Sequence, residues 1–99
     1  MSKLLLKGGR VIDPAQGIDE TADVLIDGGL IESVDSDLNI NESNVLDVSG
    51  CIVAPGFIDM HTHTERKMLD FPDVENYIRQ GVTTVVGGNC GSSPHPVGD

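Results

Sequence analysis

Aromatic side chains are scarce in this chain: there is no tryptophan, one tyrosine and two phenylalanines among 99 residues. A core built on large rings is excluded, so Val, Ile and Leu must supply a modest apolar interior for one small domain. Positive charge is also in short supply, with six lysines and arginines against sixteen aspartates and glutamates and a net charge of −10. That balance disfavours nucleic-acid backbones and anionic membrane surfaces as partners, because both are themselves negatively charged. No apolar run approaches the roughly 18 residues of a membrane helix. The opening run Leu4-Leu5-Leu6 is too short for the apolar region of a secretory signal. A soluble cytoplasmic protein is expected. The only cysteines are Cys51 and Cys90, and in that compartment a disulfide between them is not expected. Cys51, in the run Cys51-Ile52-Val53-Ala54, reads as a small buried hydrophobe; Cys90 sits in a glycine-rich turn.

What is present falls into two styles of sequence. Over residues 1–54, short apolar segments at 3–7, 10–12, 22–26, 30–34, 45–48 and 51–53 alternate with turn signals. These are Gly8-Gly9, Asp13-Pro14-Ala15-Gln16-Gly17, Asp27-Gly28-Gly29 and Ser49-Gly50. The pattern predicts a small, mostly antiparallel β unit, with a hairpin at Asp27-Gly28-Gly29 and a loop over 38–43. From residue 55 the style changes. Residues 57–61 form an apolar run without alternation, as expected of a parallel strand covered on both faces. Residues 72–80 carry helical signals: Pro72 in the first turn, Asp73 and Glu75 near the positive end of the dipole, Arg79 near the negative end, and Val74, Tyr77 and Ile78 on one face. The β-branched run over 82–86 reads as a second buried strand. Strand, helix and strand make one βαβ unit, and a loop follows. A lone unit of this kind leaves open strand edges and an unpartnered helix, which predicts a fragment of a larger α/β domain.

The chemistry concentrates at the ends of those two strands. In an extended chain His61 and His63 project to the same side, about 7 Å apart along the strand, a spacing suited to two imidazoles on one cation. Neutral imidazole matches zinc, and a catalytic zinc takes three protein ligands plus water. Ligands of parallel α/β architectures collect beyond the carboxyl ends of the strands. Cys90 lies beyond the end of the second strand, so its thiol and the two imidazoles can meet at one rim, with the metal binding the thiolate.

The run Ala54-Pro55-Gly56-Phe57-Ile58-Asp59-Met60-His61-Thr62-His63 resembles the amidohydrolase superfamily. The run Gly81-Val82-Thr83-Thr84-Val85-Val86-Gly87-Gly88-Asn89-Cys90-Gly91 is similar to its N-acyl-D-amino-acid deacylase branch. The opening, with Lys7-Gly8-Gly9-Arg10-Val11-Ile12-Asp13-Pro14, also looks like the family's N-terminal β domain. The resemblance implies an α/β fold in which residues 1–54 are an incomplete β-sandwich-like domain and residues 55–99 begin a (β/α)₈ barrel. It further implies that His61 and His63 serve the more exposed metal position and that Cys90 is a ligand of a tightly held zinc, with a second, weaker divalent site left open. The implied substrate is a small N-acyl amino acid or related amide, hydrolysed with metal assistance. The proton-transfer aspartate would come from the last barrel strand, outside this chain, so the 99 residues alone are expected to be inactive. Asp59 is assigned a supporting role, orienting an imidazole or closing the strand end. Ring-opening hydrolysis of a cyclic amide and a non-catalytic metal-binding scaffold are the alternatives, and a homo-oligomer stays open. His95, Glu65, Arg66 and Lys67 read as solvated loop residues, and Ser92 and Ser93 lack a base that would make either a nucleophile.

Overall fold

The computed structural model describes residues 3–40, 43–64 and 68–91. Glu65, Arg66, Lys67, Ser92, Ser93 and His95 lie outside them. The chain divides into two compact units, Met1–Pro55 and Gly56–Asp99.

The first unit is organised around β1 (Lys3–Asp13), an eleven-residue strand where the sequence predicts two short ones. Gly8-Gly9 does not break the strand but bulges it. Leu6 pairs with Val24 and Gly9 with Ala22, so Lys7 and Gly8 together oppose Asp23. Gly8 adopts φ 79, a left-handed value open to glycine without steric penalty. The extra residue inverts the alternation, and Leu6 and Val11, five apart, reach the same face. There they join Ala22, Val24, Ile18, Ile26, Val34 and Val53 in the core. Leu5 and Leu25 are buried on the opposite face.

Strand β2 (Ile18–Asp27) and β3 (Leu30–Asp35) complete an antiparallel meander with β1. The mostly antiparallel expectation stops there. Both β4 (Ser43–Asp47) and β5 (Ile52–Val53) pair parallel with β1, giving the order β3-β2-β1-β4 with β5 further along β1. The chain leaves β3 at one edge, crosses to the other and enters in the direction of β1; apolar pattern alone carries no strand direction. Between β4 and β5 a turn follows the bulge, with Val48 N–H donating to the Lys7 carbonyl at 2.9 Å and Arg10 N–H to the Cys51 carbonyl at 3.0 Å. Cys51 is exposed in this turn, not buried as its apolar neighbours suggest.

Asp23 completes the bulge. Its carboxylate accepts the Gly8 N–H at 2.8 Å, the Leu38 N–H at 2.9 Å and the Lys7 ammonium at 3.2 Å, while only 4% exposed. Burial opposes its ionisation most strongly of any single influence. The two backbone donors and Lys7 together outweigh it and hold the carboxyl below its ordinary value.

The second unit pairs β6 (Phe57–Asp59) with β7 (Val82–Val85) in parallel, joined through α1 (Glu75–Ile78). The helix is one turn long where the sequence predicts nine residues. Val74 adopts φ 46 and ψ 44, a left-handed conformation that a β-branched residue rarely takes, and the helix cannot extend back through it to Pro72. Arg79 pairs with Glu75 at 3.1 Å on the solvent side. The expectation of a strand covered on both faces is not met either: Phe57 and Ile58 are 62% and 60% exposed. The described residues provide no second layer to pack on them. No helix of the described residues is long and apolar enough to cross a membrane.

Candidate metal centre

Strand β6 ends two residues earlier than the apolar run predicts. The Asp59 carboxylate accepts the His61 N–H at 3.1 Å, a local turn that draws the backbone out of the ladder. This bond is the kind expected of Asp59 in its strand-closing role. His61 and His63 therefore stand on the loop after the strand and not on the strand itself. Their common orientation survives because Thr62 between them turns inward, 2% exposed. Its N–H donates to the Val86 carbonyl at 3.0 Å and its hydroxyl to the same oxygen at 3.2 Å. Both histidines stay exposed.

Because β6 and β7 are parallel, the loops that follow them emerge on one side. Val86 N–H donates to the Asp59 carbonyl at 2.9 Å, extending the contact past the last ladder pair. Gly87 and Gly88 lead to a turn closed by the Gly91 N–H on the Gly88 carbonyl at 2.9 Å. Cys90, in that turn, is brought to His61: Nε2 and Sγ are 2.7 Å apart. The two imidazoles meet edge to face, ring centroids 5.6 Å apart and planes at 69°. One donor atom from each of His61, His63 and Cys90 lies within 4.8 Å of the others.

This donor set fits a zinc ion. Two imidazole nitrogens and a thiolate are ligands it takes in tetrahedral sites, and two imidazoles on one such ion place their ring centroids about 5 Å apart. A nitrogen and a sulfur on the same ion are about 3.5 Å apart, so the His61 and Cys90 atoms would open by about 1 Å to admit it. All three side chains are exposed, which leaves a route for the ion.

His61, Thr62 and His63 also form one wall of a cavity of about 600 Å³, whose other walls include Met68, Asp70, Phe71, Asp73, Glu75 and Tyr77. Its described lining contains three carboxylates and neither lysine nor arginine. Sequence reasoning assigns no role to Thr62 or to Asn89, whose side-chain amide donates to the Met60 carbonyl and ties the two loops together. Strict alternation about the His-x-His motif is the one signal that points Thr62 inward.

A family model described as the amidohydrolase family matches residues 44–98, more than half of the chain. The chain belongs to the amidohydrolase family. Among its relatives, a D-aminoacylase from Alcaligenes xylosoxydans xylosoxydans is 44% identical over 94 residues, covering 95% of this chain and 19% of that protein. A dihydroorotase from Syntrophotalea carbinolica is 38% identical over 102 residues, covering 98% of this chain and 23% of that protein. Among solved structures, the N-acyl-D-glutamate deacylase from Bordetella bronchiseptica, complexed with zinc and a phosphonate mimic of the tetrahedral intermediate, matches with a TM-score of 0.82. That match has 38% identity and covers 95% of this chain and 20% of the deacylase. The chain thus spans about a fifth of the length of these relatives. The match bears out the small N-terminal β domain of the amidohydrolase reading. The described residues contain one β-strand, helix, strand unit and no closed barrel.

Proposed function

We propose that these residues are the N-terminal part of a zinc-dependent amidohydrolase that removes the acyl group from an N-acyl-D-amino acid. Residues 1–54 are its β domain and residues 55–99 the start of its barrel. The observation that carries the reading is the convergence of His61, His63 and Cys90, one donor atom from each within 4.8 Å of the others, beside a cavity of ligand size. The likeness to a D-aminoacylase and a zinc-containing deacylase supports the choice of reaction.

In this reading His61, His63 and Cys90, the last as thiolate, together hold one zinc ion, as the convergence of their donor atoms favours. A zinc ion bound there would supply Lewis-acid polarisation of an amide carbonyl and would lower the pKa of bound water. The chain's own residues hold and orient. Thr62 fixes the backbone between the two imidazoles, Asp59 sets where the loop leaves β6, and the cavity beside the histidines receives the substrate's body. The aspartate that moves the proton lies outside these residues, so the 99-residue chain binds zinc without turning over substrate.

The test is zinc retention followed by activity. The 99-residue chain should keep zinc against a competing chelator, and Cys90→Ala should weaken it by about 100-fold or more, since a three-ligand site becomes a two-ligand one. Equal retention by the two would remove Cys90 from the site. A dihydroorotase among the relatives keeps ring-opening hydrolysis as a second reading. An enzyme carrying these residues as its N-terminal part, assayed on an N-acyl-D-amino acid and on a cyclic amide, separates the two; ring opening alone would favour the second.

A further inference from the structure

We infer that Asn89, together with Thr62, is a positioning residue for the metal ligands, an inference that rests on the zinc reading above. Two ligands arrive on the loop after β6 and the third on the loop after β7. Loops are the mobile parts of a fold, and a ligand set divided between two of them loses affinity to the entropy of bringing them together. Two cross-links oppose that loss. The Asn89 side-chain amide donates to the Met60 carbonyl. Asn89 immediately precedes Cys90 and Met60 immediately precedes His61, so this bond sits directly beside the 2.7 Å approach of Nε2 to Sγ. On the other side of His61, the Thr62 N–H and hydroxyl both reach the Val86 carbonyl at the base of the Cys90 loop. The Thr62 hydroxyl also lies 3.3 Å from that of Thr64, on the far side of His63. His61 is thereby held between two clasps that each bridge the ligand loops.

A plainer role for Asn89 is that of a turn former in Gly88-Asn89-Cys90-Gly91, whose turn is already closed by the Gly91 N–H. The two roles predict different results. Asn89→Ser keeps turn propensity but is too short to reach Met60, and Asn89→Leu keeps the size and removes the donor. Zinc affinity is measured on the 99-residue chain by chelator competition. Cobalt(II) in place of zinc then reports the Cys90 bond through its thiolate-to-metal absorption. Both variants should bind zinc about 10- to 100-fold more weakly, as expected when a group supporting the ligands is lost. They should also show a diminished thiolate band, with thermal unfolding unchanged. Thr62→Val should act in the same direction and Thr62→Ser should restore binding. Zinc affinity in Asn89→Ser within about twofold of the wild type would overturn the inference and leave Asn89 a turn residue. Should a variant fail to fold, hydrogen exchange of the Asn89 side-chain amide in the wild-type chain decides: slowed exchange supports the clasp and solvent-rate exchange overturns it. A wild-type chain that binds no zinc would sink the metal reading itself, whereas zinc binding indifferent to Asn89 sinks only this inference.

Discussion

The two units distribute burial and chemistry in opposite ways. Among the described residues the five buried hydrophobic ones, Leu5, Val11, Ala22, Val24 and Leu25, belong to the first unit, along with the buried, fully partnered Asp23. In the second, Thr62 is the one buried residue among those described, and Phe57, Ile58, Met60, Leu69 and Phe71 are exposed. The first unit is held by side chains removed from water. The second is held by backbone and side-chain hydrogen bonds that converge on the segment between His61 and His63. Stability and reactive groups therefore reside in different parts of the chain, and a substitution in one should leave the other's property intact.

The largest test of that separation is Leu5→Ala. Leu5 is 2% exposed between Leu25 and Val45 in register, and truncation in such a setting costs about 3 kcal/mol. The melting temperature should fall sharply while zinc affinity of the folded fraction is unchanged. A parallel loss of zinc affinity would break the separation of stability from chemistry.

Asp23→Asn comes next, at about 2 kcal/mol, since it withdraws a charged acceptor from two backbone donors and Lys7. The effect has a pH signature. The folded carboxyl titrates below its unfolded value of about 3.9, so its contribution is complete above that pH and is lost as pH falls through the lower, folded value. Urea midpoints of wild type and variant should differ at neutral pH and converge in acid. A gap that persists undiminished in strong acid would assign the effect to shape instead of charge.

Gly56→Ala should have the smallest effect, about 1 kcal/mol, confined to the second unit. A methyl group at Gly56 would collide with the Thr83 side chain where β6 and β7 come together. Amide exchange at Thr62 and Val86 should speed up while exchange in β1 and β2 is unaltered. Unchanged exchange at Thr62 would show that the loop clasps hold the ligands without the strand pair beneath them.

Much of this arrangement is legible in residue pattern. The Asp27-Gly28-Gly29 turn, the β-branched run before the cysteine loop and the His-x-His motif each declare their local geometry, and His61, His63 and Cys90 stand out by chemistry alone. Misreadings cluster where a single backbone conformation overrides the pattern. Gly8 converts an apparent strand break into a bulge, Val74 shortens a nine-residue helical signal to one turn, and Asp59 ends a strand ahead of its last apolar residue. Cys51 is exposed because it stands in the turn between β4 and β5, its N–H donating to the Val48 carbonyl.

Sequence by itself determined the donor types, their places after two strand-forming runs and the acidic character of the whole, because these depend on residue identity and spacing along the chain. Only the tertiary structure decided that β4 and β5 run parallel to β1 and that Thr62 turns inward. It alone brings the Asn89 amide to the Met60 carbonyl and sets the 2.7 Å approach of His61 to Cys90. Those features join residues 24 or more positions apart, as in Thr62 with Val86 and His61 with Cys90, and strand direction and pairing across such separations are settled by packing and hydrogen-bond satisfaction, not by local preference.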